Sequence, residues 1–164
     1  MKRVKLLSFI ALNFLLVSCA SMKAPVINLI ESFDGYKYVY ITPTSELTSG
    51  SSGVYGGKYG VYGGGSTKTI NPSDVISGIL LKQGYIRLPE LKPELLEQTL
   101  IVNYGESGRR NVNLGYSIEV TIQFLSAKTN MPVCICTAEG KGSTEADDIR
   151  IAINRAISPL FKNK

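Results

Sequence analysis

Histidine and tryptophan are absent from the 164 residues, and there are only three cysteines. Without histidine there is no Ser-His-Asp or Cys-His nucleophilic centre, no His-containing zinc site and no imidazole to act as general acid or base near neutral pH. No Ser-x-x-Lys pair stands in for them, so an acyl-transfer enzyme would have to be assembled from unusual parts. Long apolar runs are scarce too. The single one, Leu6 to Val17, is broken only by Ser8 and Asn13, and it falls short of the roughly 20 residues that cross a bilayer as a helix. Beyond the first eighteen residues no Lys/Arg run exceeds the Arg109-Arg110 pair, which argues against a nucleic-acid surface.

What is present at the start is an export pattern. Lys2, Arg3 and Lys5 precede the apolar run and Leu16-Val17-Ser18-Cys19 closes it, the layout of a cleaved signal peptide over residues 1–18. The tetrapeptide resembles the bacterial lipobox, in which a small residue precedes the cysteine. The resemblance implies that Cys19 is the lipidation site, becoming an acylated first residue that carries palmitate-type chains. One acyl chain holds a protein reversibly, at about 0.8 kcal/mol per buried methylene, whereas several hold it for good. Similarity to Gram-negative lipoproteins, in which a residue other than aspartate after the cysteine accompanies outer-membrane delivery, extends to Ala20. With no acidic run in the tether, the expected location is the periplasmic face of the outer membrane.

Three of the 18 Lys and Arg and none of the 13 Asp and Glu lie in residues 1–18, so their removal leaves a net charge of only +2. The apparent basicity is largely an export device. The remainder suits one domain: residues 19–32 read as a lipidated tether and 33–164 as a single globular domain.

Along that domain, Tyr36 to Thr42 is dense in aromatic and β-branched residues and reads as a strand. Residues 50–69 are rich in glycine, serine and tyrosine. They contain a near repeat, Gly53 to Tyr59 and Gly60 to Ser66, and are expected as a mobile insertion loop or frayed hairpin, because glycine raises the entropy cost of ordering. Asn71-Pro72 opens a helix and Gly84 ends it, with Val75, Ile76, Ile79 and Leu80 as its apolar stripe. A short strand, Tyr85 to Leu88, a helical turn, Pro93 to Gln98, and a strand from Leu100 to Tyr104 follow. From Tyr116 to Ser126 apolar and polar residues alternate, which means a sheet packed on one side. Pro132 to Ala138 returns as its hairpin partner. Ser143 and Thr144 cap a last helix with Glu145, Asp147 and Asp148 in its first turn. The expected fold class is α+β, an α/β sandwich in which a mixed, mostly antiparallel sheet of four to five strands carries two helices on one face.

Several residue groups invite functional readings beside plainer ones. Cys134 and Cys136 share one strand face with Cβ atoms roughly 6.7 Å apart, too far for a disulfide without distortion. They read as buried apolar residues, against a Cys-x-Cys metal or redox pair. Gly57-Lys58 resembles part of a phosphate-binding loop, but Ser52 replaces the first glycine and Tyr59 the hydroxyl residue, so no nucleotide site is expected. Tyr55, Tyr59 and Tyr62 on a glycine frame are candidate contacts for a protein or glycan, or simply sit in a tolerated loop. Arg109 and Arg110 offer a bidentate clamp for a carboxylate or phosphate, against a solvated hairpin end.

The Tyr36 to Ile41 strand, the Pro93 to Val102 turn and strand, and the long hairpin before a terminal amphipathic helix occur in an order similar to small envelope lipoproteins of unknown function. Their α/β fold is loosely shared with the lipopolysaccharide-assembly lipoprotein and the N-terminal domain of the Tol-system propeller protein. The resemblance implies that fold and a membrane-anchored setting, but brings no catalytic motif. The expectation is a lipid-anchored binding or scaffold protein, not an enzyme. It would contact an envelope protein or polymer, with no cofactor, metal, nucleotide or nucleic acid. Two alternatives remain: a carboxylate enzyme on envelope glycans using Glu106 and Glu119, and a structural subunit that self-assembles through a strand edge.

Overall fold

The computed structural model describes residues 22–57, 60–112 and 115–162. The expected signal peptide, Cys19 and Tyr59 lie outside the described residues.

The alternating segment is the centre of the fold. It forms β7 (Gly115–Ser126), with Ile118, Val120, Ile122 and Phe124 fully buried on one face. On either side lie β6 (Thr99–Val112) and β8 (Pro132–Gly140), both antiparallel to it. With β1 (Val26–Leu29), β2 (Tyr38–Ile41) and β5 (Ile86–Arg87) they make a six-stranded sheet in the order β1-β8-β7-β6-β2-β5. β2 runs parallel to both its neighbours, and the other pairings are antiparallel. Register places Val39 beside Leu100 and Ile41 beside Val102, extending the buried face toward β2.

Capping chemistry sets both α-helices. At α1 (Pro72–Lys82) the Asn71 side chain accepts from the Ser73 N–H at 3.1 Å, and beyond the C-cap Gln83 the chain turns through Gly84 at φ +89°, open to glycine at no steric cost. At α2 (Glu145–Ile157) Thr144 accepts from the Asp147 N–H at 3.2 Å, and Ile149, Ala152, Ile153, Ala156 and Ile157 form the buried stripe. Short 3₁₀ turns cover Pro93–Gln98 and Ser158–Phe161. Phe33, set edge-on to Phe124 with ring centres 5.3 Å apart, and Phe161 close one end of the core.

The α+β class and the mostly antiparallel sheet agree with expectation; the details differ. The sheet has six strands where four to five were expected, because part of the expected tether, 19–32, joins it: Val26 to Leu29 pairs with β8. A run of Val, Ile and Leu covers what would otherwise be a bare β8 edge. The helices do not form two equivalent layers. α2 lies over β7 and β8, whereas α1 leans on α2 and reaches the sheet only near β2 and β5.

The Gly/Tyr segment is a second, two-stranded sheet of β3 (Leu47–Gly57) and β4 (Gly60–Ile70). Its register sets Tyr55 against Tyr62 and Gly57 against Gly60, so the two near repeats pair with each other. The base of this ribbon is docked: Leu47 packs on the core and Ile70 is buried within it. The stretch around Arg109 and Arg110, for which a solvated hairpin end was the plainer reading, is strand, because β6 continues to Val112 across a bulge that skips Ser107.

Cys134 and Cys136 are free thiols, fully buried on the core face with Sγ atoms 3.5 Å apart. Their mutual hydrogen bond and burial push the Cys136 thiol up.

Where β8 passes under α2 the backbones nearly touch. A Cβ on Gly140 would lie 1.8 Å from the Asp148 carbonyl oxygen and 2.5 Å from the Ala152 nitrogen. Gly140→Ala should therefore destabilise the fold by about 3 kcal/mol or more, since backbone has to give way. Gly105→Ala, with nothing within 4 Å of the added carbon, should cost far less. Urea unfolding of the two variants compares them.

Candidate functional site

The distal end of the β6–β7 hairpin, the N-terminus of α2 and the base of the ribbon converge. Between them lies a cleft of about 320 Å³, lined by Thr48, Ser49 and Gly50 from β3, Tyr116 from β7, and Gly142 to Glu145 with Asp148 around the start of α2. Ser49 Oγ accepts from the Ala146 N–H at 2.9 Å, and Lys68 Nζ donates to Asp147 at 2.7 Å. These bonds seat the ribbon on the helix. Lys68, with help from Ser143, holds the Asp147 carboxyl down at about 2, whereas burial pushes the Asp148 carboxyl up. Asp148 accepts a short hydrogen bond from the Gly142 N–H, so the loop before α2 is tied to its first turn.

The two candidate arginines are adjacent on a strand, and alternation sends them to opposite faces. Arg109 goes toward α2: its guanidinium bonds Glu145, lies 3.7 Å from Glu106, and sits 5.4 Å above the centre of the Tyr116 ring. Arg110 makes a two-pronged contact with Glu139, Nε at 2.9 Å and Nη2 at 2.7 Å. The structure therefore brings Arg109 to the cleft rim and takes Arg110 away from it.

Solved structures offer only weak likenesses to this chain. A single-substitution variant of PelC, a dodecamer from Paraburkholderia phytofirmans, is 12% identical, with a TM-score of 0.49 over 86% of this chain and 98% of that one. The PelC dodecamer from the same organism in another crystal form is 11% identical, with a TM-score of 0.46 over 84% and 96%. No family model matches the chain, and no curated protein matches it. At these identities no function transfers.

Of the candidate tyrosines, Tyr55 and Tyr62 are cross-strand neighbours in the ribbon. Glu106 and Glu119, the acids of the enzyme alternative, line separate small hollows. One, of about 180 Å³, is formed by Asn103 to Ser107 with Thr121 and Gln123. The other, of about 130 Å³, includes Lys23, Gly108, Glu139 and both candidate arginines, Arg109 and Arg110. Burial and the nearby Glu106 carboxylate push the Tyr104 hydroxyl up, so it stays protonated and donates to Glu106 at 3.4 Å. Among the described residues no group of three or more His, Cys, Asp or Glu is placed to hold a metal, and no helix is long and apolar enough to cross a membrane.

Sequence reading missed Glu139. It ends β8, its side chain is only 2% exposed, and besides Arg110 it accepts from the Lys23 backbone N–H at 3.1 Å, with Lys23 Nζ 3.5 Å away. Arg155 of α2 completes the junction by donating to the carbonyls of Glu139 and Lys23. The chain entering the domain is thus latched at Lys23.

Arg110 holds the Glu139 carboxyl down at about 2 against an ordinary 4.5. Arg110→Ala leaves the buried Glu139 carboxylate with only its Lys23 contacts and should destabilise the fold more than Arg109→Ala does at neutral pH. Arg109→Ala, at a half-exposed ion pair, should cost below about 1 kcal/mol. Because the folded-state value lies below the unfolded one, the stability from Glu139 is present above pH 4.5 and is lost as pH falls toward about 2. Wild type should exceed Glu139→Gln at neutral pH and converge with it in acid, in urea melts at several pH values.

Proposed function

We propose that this chain is a lipid-anchored binding or scaffold module of the cell envelope, held through Cys19 at the periplasmic face of the outer membrane. Its job on this reading is to contact another envelope protein or polymer, not to make or break bonds. The observation that carries it is the ribbon: two strands of 11 residues each that stand apart from the main sheet yet are bolted to α2 at their base.

A two-stranded glycine-rich sheet contributes little to the core beyond Leu47 and Ile70, and isolated hairpins are marginal in water. Its length therefore favours an outside partner, with strand pairing or the Tyr55 and Tyr62 pair as the contact. The cleft at its base, with Arg109 stacked on Tyr116, adds hydroxyls, carboxylates and one aromatic face suited to a polar chain. The likeness to small envelope lipoproteins and the lipobox-like Leu16 to Cys19 support the same setting.

Shortening the ribbon by replacing residues 51–66 with a tight turn keeps Ser49, Lys68 and the core residues. The shortened chain should keep its membrane association and its unfolding midpoint while losing its partners in crosslinking of intact cells followed by mass spectrometry. Unchanged partners would remove the ribbon from the binding surface. A chain recovered from cells with residues 1–18 attached and no acyl group on Cys19 would remove the anchor.

A further inference from the structure

Five of the nine exposed large apolar side chains among the described residues, Val26, Ile27, Leu29, Ile30 and Met131, lie at one sheet edge. Val26 is 65% exposed, Leu29 56%, Ile30 54% and Met131 64%. β1 is the last strand of the sheet, so one side of its backbone is unpaired among the described residues. Met131 lies in the turn before β8, beside the point where the Ile30 N–H donates to Val133. At the other end of β1, a hollow of about 370 Å³ is lined by Pro25, Asn154, Arg155, Ser158, Pro159 and Lys162. Lys23, whose side chain is 63% exposed, stands beside Arg155, so the start of the strip presents two outward cations, Lys23 and Lys162, while Arg155 is held by the Glu139 and Lys23 carbonyls.

The latch at Lys23 limits where this edge can be. Only Ala20, Ser21 and Met22 separate it from Cys19, so the two are at most about 14 Å apart even when fully extended. A leaflet holding acyl chains on Cys19 therefore lies within that reach of the start of β1.

We propose that the β1 edge is a lipid-contact strip, with Val26, Ile27, Leu29 and Ile30 at headgroup level and Lys23 and Lys162 toward the phosphates of an anionic leaflet. The inference rests on the lipid-anchored reading and adds a fixed orientation to it. The depth follows from the backbone. Unpaired N–H and C=O groups of an edge strand are satisfied by water and headgroups but not in hydrocarbon, so the strip sits in the interface while its side chains reach the acyl boundary.

The absence of tryptophan makes the test clean. Leu29→Trp and Ile86→Trp place one reporter on each edge of the sheet, at positions 56% and 54% exposed, where the fold tolerates it. Each matured, full-length lipoprotein is reconstituted into vesicles of phosphatidylethanolamine and phosphatidylglycerol carrying brominated acyl chains. Tryptophan at 29 should emit to the blue and be quenched several-fold more than tryptophan at 86, with the difference growing as the phosphatidylglycerol fraction rises. Vesicle-bound protein whose Leu29→Trp reporter emits like one in water overturns the strip while leaving the anchor standing. So does equal quenching at both positions. A blue shift without quenching overturns it as well, by giving the edge to protein such as a second copy of this chain. Protein that stays in the supernatant without an acyl group on Cys19 overturns anchor and strip together.

Discussion

A buried carboxylate at the end of β8 governs how the chain enters its own fold. Removed from water, Glu139 has to be met by charge and hydrogen bonds or remain protonated. Arg110 meets it from β6, reaching past β7, and the Lys23 backbone meets it from the entering segment. Arg155 then ties the carbonyls of Glu139 itself and of Lys23 to α2. One acid therefore joins four parts of the molecule that are distant in sequence. It sits next to Gly140, where β8 and α2 approach so closely that no side chain fits. Polar closure and steric closure coincide at one corner, and the chain pinned there leads directly into the β1 pairing with β8.

The ribbon shows the opposite economy. Its glycines lower intrinsic strand preference, yet the near repeat makes its two halves complementary in register, small residue against small and Tyr55 against Tyr62. What holds it on the body is at the base, where Ser49 and Lys68 bond the first turn of α2. An element secured at one end and self-paired beyond it suits contact with something outside the chain better than service to the core.

How much of this was legible in the sequence follows from the range of the interactions involved. β7 was plain because one strand writes its own period of two, and Thr144 and Asn71 were plain because a cap acts within three residues. β1 was obscured by its brevity and by Asn28 within it; its reason for being a strand is the β8 edge, more than a hundred residues away. The reach of β6 past Gly105 was obscured because Glu106 to Arg110 has the composition of a turn, whereas pairing with β7 holds it as strand at the cost of one bulge. Arg109 and Arg110 were visible as charges, but their divergence depends on that strand assignment. Glu139 left no local signal at all: an acid at a strand end reads as solvated, and only its partners 29 and 116 residues away bury it.

α2 connects the two ends of the proposed activity. Its N-terminal turn carries the ribbon, and Arg155 near its C-terminus carries the entering chain. Thirteen residues of helix span about 20 Å. Its buried stripe lies on β7 and β8, so it cannot bend independently of the sheet. On the proposed reading this makes the domain a rigid mount: the latched entry and the base of the ribbon are both fixed to α2, so the contact element is held in a set orientation to the leaflet. A flexible tether would reach further but would share each encounter among many orientations, an entropic cost of binding that a fixed one avoids. A short linker and a latched entry are thus what a presenting role requires, and they are of little use to a domain that has only to be retained in the envelope.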